Sequence, residues 1–224
     1  MFLILTIIFS FFPPDNLYNS AEIFKPYTDV NQLWKDCKLE EIVSLHIFKL
    51  AMIGYNQIEQ IKDKNIITII DYTKPSTEKR FYVINLKRKV LLYQCYVAHG
   101  KNSGDNYAKS FSNQSGSLES CLGFFITAET YSGEHGYSLR LDGIEKGTND
   151  NARIRSIVIH GADYVSQEFI KKYGRLGRSW GCPALPNELS KEIIDGIANG
   201  SCLFIYGNDK EYFKNSKFIK NNLM

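Results

Sequence analysis

Two kinds of side chain here could do covalent chemistry near neutral pH: five cysteines and four histidines. An odd cysteine count leaves at least one thiol without a partner inside the chain. The thiol in the most unusual setting is Cys182, within Arg178-Ser179-Trp180-Gly181-Cys182-Pro183. Gly181 lets the backbone turn tightly, and Pro183 fixes the chain direction just after the thiol. A turn of this kind can aim its own amides at one point, which suits a nucleophile that must stabilise an oxyanion. A cysteine also needs a base or a lowered pKa before it attacks. Three His-Gly pairs offer a base: His99-Gly100, His135-Gly136 and His160-Gly161. His99 and His160 each close an apolar run, VAH and IVIH, and should emerge at strand ends. Spacing alone does not choose among the three. Zinc accepts the same ligand types, but no close Cys-x-x-Cys or His-x-x-x-His pair occurs.

The elements that must hold these residues are mostly strands. Asn65–Tyr72, Arg80–Asn85 and Val90–Ala98 are β-branched or aromatic, and Leu86–Lys89 between the last two reads as a hairpin turn. Gly123–Thr130, Ser138–Leu141, Ser156–His160 and Cys202–Tyr206 are further strands. Ahead of them, Asn31–Ala51 reads as a helix, with Leu39, Val43, Ile47 and Leu50 at spacings of three and four and Gly54 as its stop. His46 lies near that stripe as a packed helix residue. Two short helices follow later. One starts at the N-cap Ser166 and runs to Lys172; the other follows Pro186, with Asn187 as N-cap and Gly200 past its end. Lys101–Ser120 is a long Gly/Ser/Asn-rich loop, of the length that serves as a lid or binding loop or else decorates a surface.

A chain of 224 residues with 44% apolar and 23% charged residues is a folded domain, not a disordered or fibrous one. A net charge of +3 carries no basic excess that would suggest nucleic acid as the main partner. Met1–Phe12 is uncharged and apolar. As a helix it would rise only about 18 Å, short of a bilayer core, which suits the apolar region of a signal peptide. Asn19-Ser20-Ala21 is the best cleavage stretch. The expected divisions are an apolar export segment over 1–21, a helical N-terminal arm over 22–64, a catalytic domain over 65–207 and a polar tail over 208–224. In an exported protein Cys37, Cys95, Cys121 and Cys202 could form disulfides. Cys95 and Cys202 sit in apolar strands where a buried free thiol also fits.

The motif Ser179-x-Gly181-Cys182, preceded by His160-Gly161, resembles the signature of the YkuD-like L,D-transpeptidases. The match is closer to the murein L,D-transpeptidase catalytic domain family. It extends through RFYVINL, VAHGKNSG (Val97–Gly104), SLRLDGIEKGTNDNAR (Ser138–Arg153), IVIHGADYVS (Ile157–Ser166) and GRLGRSWGCPALP (Gly174–Pro186), spanning about residues 66–207.

The resemblance implies a mainly β fold, an L,D-transpeptidase-like β-sandwich with a few peripheral helices. It implies Cys182 as nucleophile, His160 as base and the Gly161 carbonyl as the group orienting the imidazole. The amides of Trp180, Gly181 and Cys182 would form the oxyanion hole. Arg178 and Ser179 would shape the turn or hold a substrate carboxylate, and His135, Tyr137 and Arg140 would line the groove. The related pattern GC-x-R is absent, since Pro183-Ala184 follow the cysteine; Arg178 is the substitute clamp. The implied reaction is acyl transfer on peptidoglycan stem peptides through a Cys182 thioester, giving 3→3 cross-links. It needs no cofactor or metal, in an exported, periplasmic or envelope monomer that carbapenem-type β-lactams inactivate. Alternative readings are an L,D-carboxypeptidase, a non-catalytic wall-binding module and a thiol peptidase acting on ordinary L-peptides.

Overall fold

A computed structural model describes residues 26–220; the apolar segment read as an export signal lies outside them. Two helices open the described chain, α1 (Val30–Asp36) and α2 (Leu45–Tyr55). The Asp29 carboxylate caps α1 by accepting from the Gln32 amide at 2.8 Å, and the Ser44 hydroxyl caps α2 at the Ile47 amide. The single helix expected over 31–51 is therefore broken. Lys38 adopts a left-handed φ of 54°, and Trp34 closes the corner by donating to the Val43 carbonyl at 2.8 Å. Leu39 and Val43, which supplied the helical spacing, lie in this connection and are buried there.

Gly54 does not stop α2 but lies inside it. A Cβ at this position would fall 2.1 Å from the Phe124 ring. The glycine lets helix and sheet approach closely. Gly54→Ala should lower stability in a urea melt by about 1–3 kcal/mol through overpacking. An unchanged midpoint would show that Phe124 has room to move.

The remaining elements are β1 (Ile66–Asp71), β2 (Phe81–Asn85), β3 (Val90–Cys95), β4 (Gly123–Gly133), β5 (Gly136–Gly143), β6 (Val158–Gly161), α3 (Gln167–Tyr173), β7 (Ala184–Leu185), α4 (Asn187–Ile197), β8 (Cys202–Tyr206) and α5 (Lys210–Asn215). The fold is mainly β, as expected. Eight strands form one sheet in the order β3-β2-β1-β8-β4-β5-β6-β7. The sheet curls almost closed, because the chain leaving β3 bridges β7 at Ala98–Ala184. One core runs through the sheet and the N-terminal helices: Leu33, Ile47 and Phe48 pack into the same cluster as Phe124, Phe204 and Ile194. The helical arm is thus part of the folded body. So is the stretch from 208 read as a polar tail, since it forms α5 and buries Tyr212, Phe218 and Ile219. No helix among the described residues is long and apolar enough to cross a membrane.

One further expectation changes. Pro186, not Asn187, is the N-cap of α4, and the Asn187 amide donates to Asp163. β7 has two residues, too few for any sequence pattern, yet it positions the site.

Candidate active site

β6 and β7 run parallel, with His160 paired to Ala184 and Gly161 to Leu185. In a parallel ladder of equal rise this register sets Cys182 beside Val158, two residues before the histidine. The Val158 amide indeed donates to Cys182 Sγ at 3.4 Å, and the thiol faces the Ser156 carbonyl at 3.5 Å. His160 and Cys182 both line one cavity of about 220 Å³, with His135, Tyr164, Arg178, Ser179 and Trp180. No hydrogen bond joins the imidazole to the sulfur in this arrangement.

His160 Nδ1 lies 2.9 Å from the Gly161 carbonyl oxygen. A carbonyl can only accept, so Nδ1 carries the hydrogen and Nε2 keeps its lone pair. Burial lowers the His160 pKa from its ordinary value, with the Gly161 carbonyl opposing and the nearby His135 assisting. Burial raises the Cys182 pKa, opposed by the Val158 amide and Arg155. Both shifts favour the uncharged forms, imidazole and thiol, in the resting site.

The turn before Cys182 is tightly specified. Gly181 has φ 125°, and a Cβ there would lie 2.8 Å from the Glu119 carbonyl oxygen. Ser179 Oγ accepts from the Gly181 amide at 3.1 Å and donates to the Cys182 carbonyl at 2.6 Å. Ser179 therefore shapes the turn, and it occupies one of the three amides assigned to the oxyanion. Among the described residues, the Trp180 and Cys182 amides keep no acceptor and remain as the open donors.

The other expected site residues divide. His135 stacks on His160, with ring centroids 4.6 Å apart. Arg178 lines the cavity and pairs with Asp105 at 2.6 Å. Tyr137 and Arg140 do not line it. The Tyr137 hydroxyl donates to Asp195 on α4, and Arg140 lies over Tyr131 and pairs with Glu129. His99 is also excluded from the cavity. It is fully buried, with Nδ1 against Arg80 at 2.7 Å and Nε2 facing the Gly104 carbonyl. Burial, then the Arg80 charge, pushes its pKa down to about 3. Among the described residues no cluster of His, Cys, Asp and Glu is arranged to hold a metal.

The loop over 101–120 is a buttress rather than a lid. Ser103 Oγ accepts from the Ser120 amide at 2.9 Å, and Asn102 donates to the Ser117 carbonyl at 2.8 Å. Arg155 braces it through the Ser112 and Glu119 carbonyls and touches Cys121 Sγ at 3.5 Å. None of its residues lines the Cys182 cavity. All five cysteines are free thiols. Sequence reasoning missed Tyr164 and Arg155. Tyr164 lay within a quoted stretch, but nothing local marks a tyrosine as a cavity wall.

A family model described as L,D-transpeptidase catalytic domain matches residues 39–206, which include His160 and Cys182. No curated protein matches the chain. Solved structures similar to it include an L,D-transpeptidase from Mycobacterium smegmatis, 13% identical, with a TM-score of 0.39, covering 64% of this chain and 59% of that one. The chain thus spans less than two thirds of that protein. Another is the helical cell shape determining protein Pgp2 from Campylobacter jejuni, 17% identical, with a TM-score of 0.44, covering 73% of this chain and 55% of that one.

Proposed function

Because this chain belongs to the L,D-transpeptidase catalytic domain family, we propose that it transfers acyl groups between peptidoglycan stem peptides through a thioester on Cys182. The observation that carries the reading is the shared cavity, which is lined by both Cys182 and His160, whose Nε2 is left free by the Nδ1 contact to Gly161. On substrate binding, the Cys182 side chain rotates from Val158 and Ser156 towards His160. The thiol proton passes to Nε2 as sulfur attacks the carbonyl carbon of the third stem residue. The Trp180 and Cys182 amides receive the oxyanion. Its collapse breaks the C–N bond, His160 protonates the departing D-alanine amine, and a thioester remains. An amine of a second stem attacks the thioester, gives its proton to His160 and releases sulfur, leaving a 3→3 cross-link. Strained amides such as carbapenems would acylate the same sulfur. On this reading the protein works in the cell envelope.

The test is mass spectrometry of the protein incubated with disaccharide-tetrapeptides. The expected result is a tripeptide acyl adduct on Cys182 and cross-linked dimers. Tripeptide monomers alone would mean that water, not an amine, resolves the thioester. Turnover without any adduct on Cys182 would overturn the mechanism.

The pKa directions set the pH profile. A lowered His160 pKa keeps the base unprotonated as pH falls towards its ordinary value, so activity is lost only below it. The acid limb of kcat/KM should have its midpoint below 6.5. Alkylation of Cys182 in the free protein should still be accelerating at about pH 8, because its thiol titrates above the ordinary range. Alkylation that is fast and flat from about pH 5 would show a resting thiolate instead.

A further inference from the structure

Outside the Cys182 cavity, but against the nucleophile turn, lies a cation without an anion. The Arg155 guanidinium directs its hydrogens at neutral groups. Nη1 donates to the Ser112 carbonyl and to Cys121 Sγ, and Nη2 donates to Ser117 Oγ at 3.1 Å and to the Glu119 carbonyl at 2.6 Å. No carboxylate pairs with Arg155 among the described residues. The side chain of Glu119 accepts from the Ser110 hydroxyl instead.

This guanidinium is wedged against the residue that precedes the thiol. A Cβ on Gly181 would lie 3.3 Å from Arg155 Nη2 and 2.9 Å from Ile157 Cδ1. Ser120, one residue past the carbonyl that Arg155 holds, donates from Oγ to the Gly181 carbonyl at 3.2 Å. The stretch that carries the cation also cradles the sulfur. Ser156 presents its carbonyl to the thiol from a left-handed φ of 54°, a conformation unfavourable for a residue with a Cβ. Val158 gives its amide to the same sulfur. Residues 155–158 thus bring a charge, an acceptor, an apolar wall and a donor to the corner at Gly181 and Cys182.

The other titratable groups nearby do not supply this charge. His160 must be neutral to accept a proton, and His135 stacks on it. Tyr164, Tyr72 and Cys121 are pushed up by burial and stay uncharged. Arg178 pairs with Asp105 at 2.6 Å. When the thiol proton leaves for His160 Nε2, a negative charge appears on a buried sulfur. A fixed cation favours that state over the neutral thiol.

We propose that Arg155 is a positioning residue for the nucleophile, whose charge, beyond its bracing of the loop, stabilises the Cys182 thiolate as it forms. The consequence for turnover rests on the acyl-transfer reading; the effect on the thiol does not, and is present in the free protein.

The test compares two variants of the full chain. Arg155→Gln removes the charge and keeps a donor, whereas Arg155→Lys keeps the charge and loses the planar fork. Iodoacetamide alkylation of Cys182 is followed against pH, with the modified peptide identified by mass spectrometry. Arg155→Gln should move the alkylation midpoint up by about one pH unit, the low end of what a neighbouring opposite charge gives. Its rate below the midpoint should then fall about tenfold. Arg155→Lys should recover most of that shift. Ser117→Ala, which removes one acceptor of the brace and no charge, should leave the midpoint in place. In turnover of disaccharide-tetrapeptides, Arg155→Gln should lower kcat about tenfold with KM unchanged, as for an interaction made only after the substrate is bound. A mere brace predicts another pattern: both Arg155 variants lower the urea midpoint alike and neither moves the alkylation midpoint. That pattern, or loss of the fold in both variants, would overturn the proposal. Failure of the acyl-transfer reading looks different, since the alkylation shift would persist while the wild-type protein formed no product.

Discussion

Cys182→Ala should abolish product formation from disaccharide-tetrapeptides, by about 10³-fold or more, while the protein stays folded. The size follows from the role: without sulfur there is no covalent intermediate, and the two open amides can only stabilise a water attack that nothing has activated. The fold survives because the sulfur's resting contacts are weak. It receives one long hydrogen bond from the Val158 amide and faces one carbonyl. The turn is held by other atoms, chiefly Ser179 Oγ and the Ser179 backbone pairs with His99 and Lys101. Muropeptide mass spectrometry and a urea melt check the two halves together. Undiminished product would sink the assignment of Cys182, and lost product with a collapsed melt would show a structural role instead.

The second large effect is on stability. Arg80→Met should cost about 3–5 kcal/mol, the sum over several buried acceptors left without a donor. Arg80 is fully buried without a carboxylate. Its Nε and Nη2 donate to the Val97 carbonyl at 3.1 and 2.9 Å, Nη1 donates to the Lys74 carbonyl at 2.8 Å, and Nη2 also donates to His99 Nδ1. The Tyr72 ring lies 4.9 Å from the guanidinium carbon. Methionine leaves two carbonyls and an imidazole nitrogen buried without donors, each costing about 1–3 kcal/mol. Arg80→Lys should recover part of the loss, since an ammonium cannot span the same fork of acceptors. The damage should reach catalysis in the fraction that folds, because the His99 carbonyl holds the Ser179 amide. A urea midpoint equivalent to less than about 0.5 kcal/mol of loss, the scale of an ordinary surface change, would refute this account.

These two residues also mark what a sequence reveals. The turn at Cys182 was legible because Gly181 has the positive φ that a tight Gly-Cys-Pro corner requires; a lone cysteine in such a turn is more often structural, and only the family resemblance singled it out as a nucleophile. The long strands were legible because β-branched runs declare themselves. Arg80 read only as the first residue of a strand; its burial depends on carbonyls from residues 74 and 97, which no local pattern brings together. The choice of His160 over His99 had the same origin. Both close apolar runs, but the neighbouring strands point one imidazole into a cavity and the other into a cage around Arg80. Tyr137 and Arg140 flank Ser138, the residue paired with His160, yet their partners come from α4 and β4. The helix over 31–51 failed for a related reason, since Leu39 and Val43 keep helical spacing across a corner set by the left-handed Lys38.

The β6–β7 register has a consequence for how this site can diversify. His160 is fixed opposite Ala184 on one side, and Ala98 holds Ala184 on the other. The intervening chain, with α3, Tyr164, Arg175 and Arg178, is anchored at both ends by strands that do not depend on its length. Insertions or deletions within α3 should therefore leave the spacing between His160 and Cys182 constant while they reshape the cavity wall at Tyr164 and Arg178.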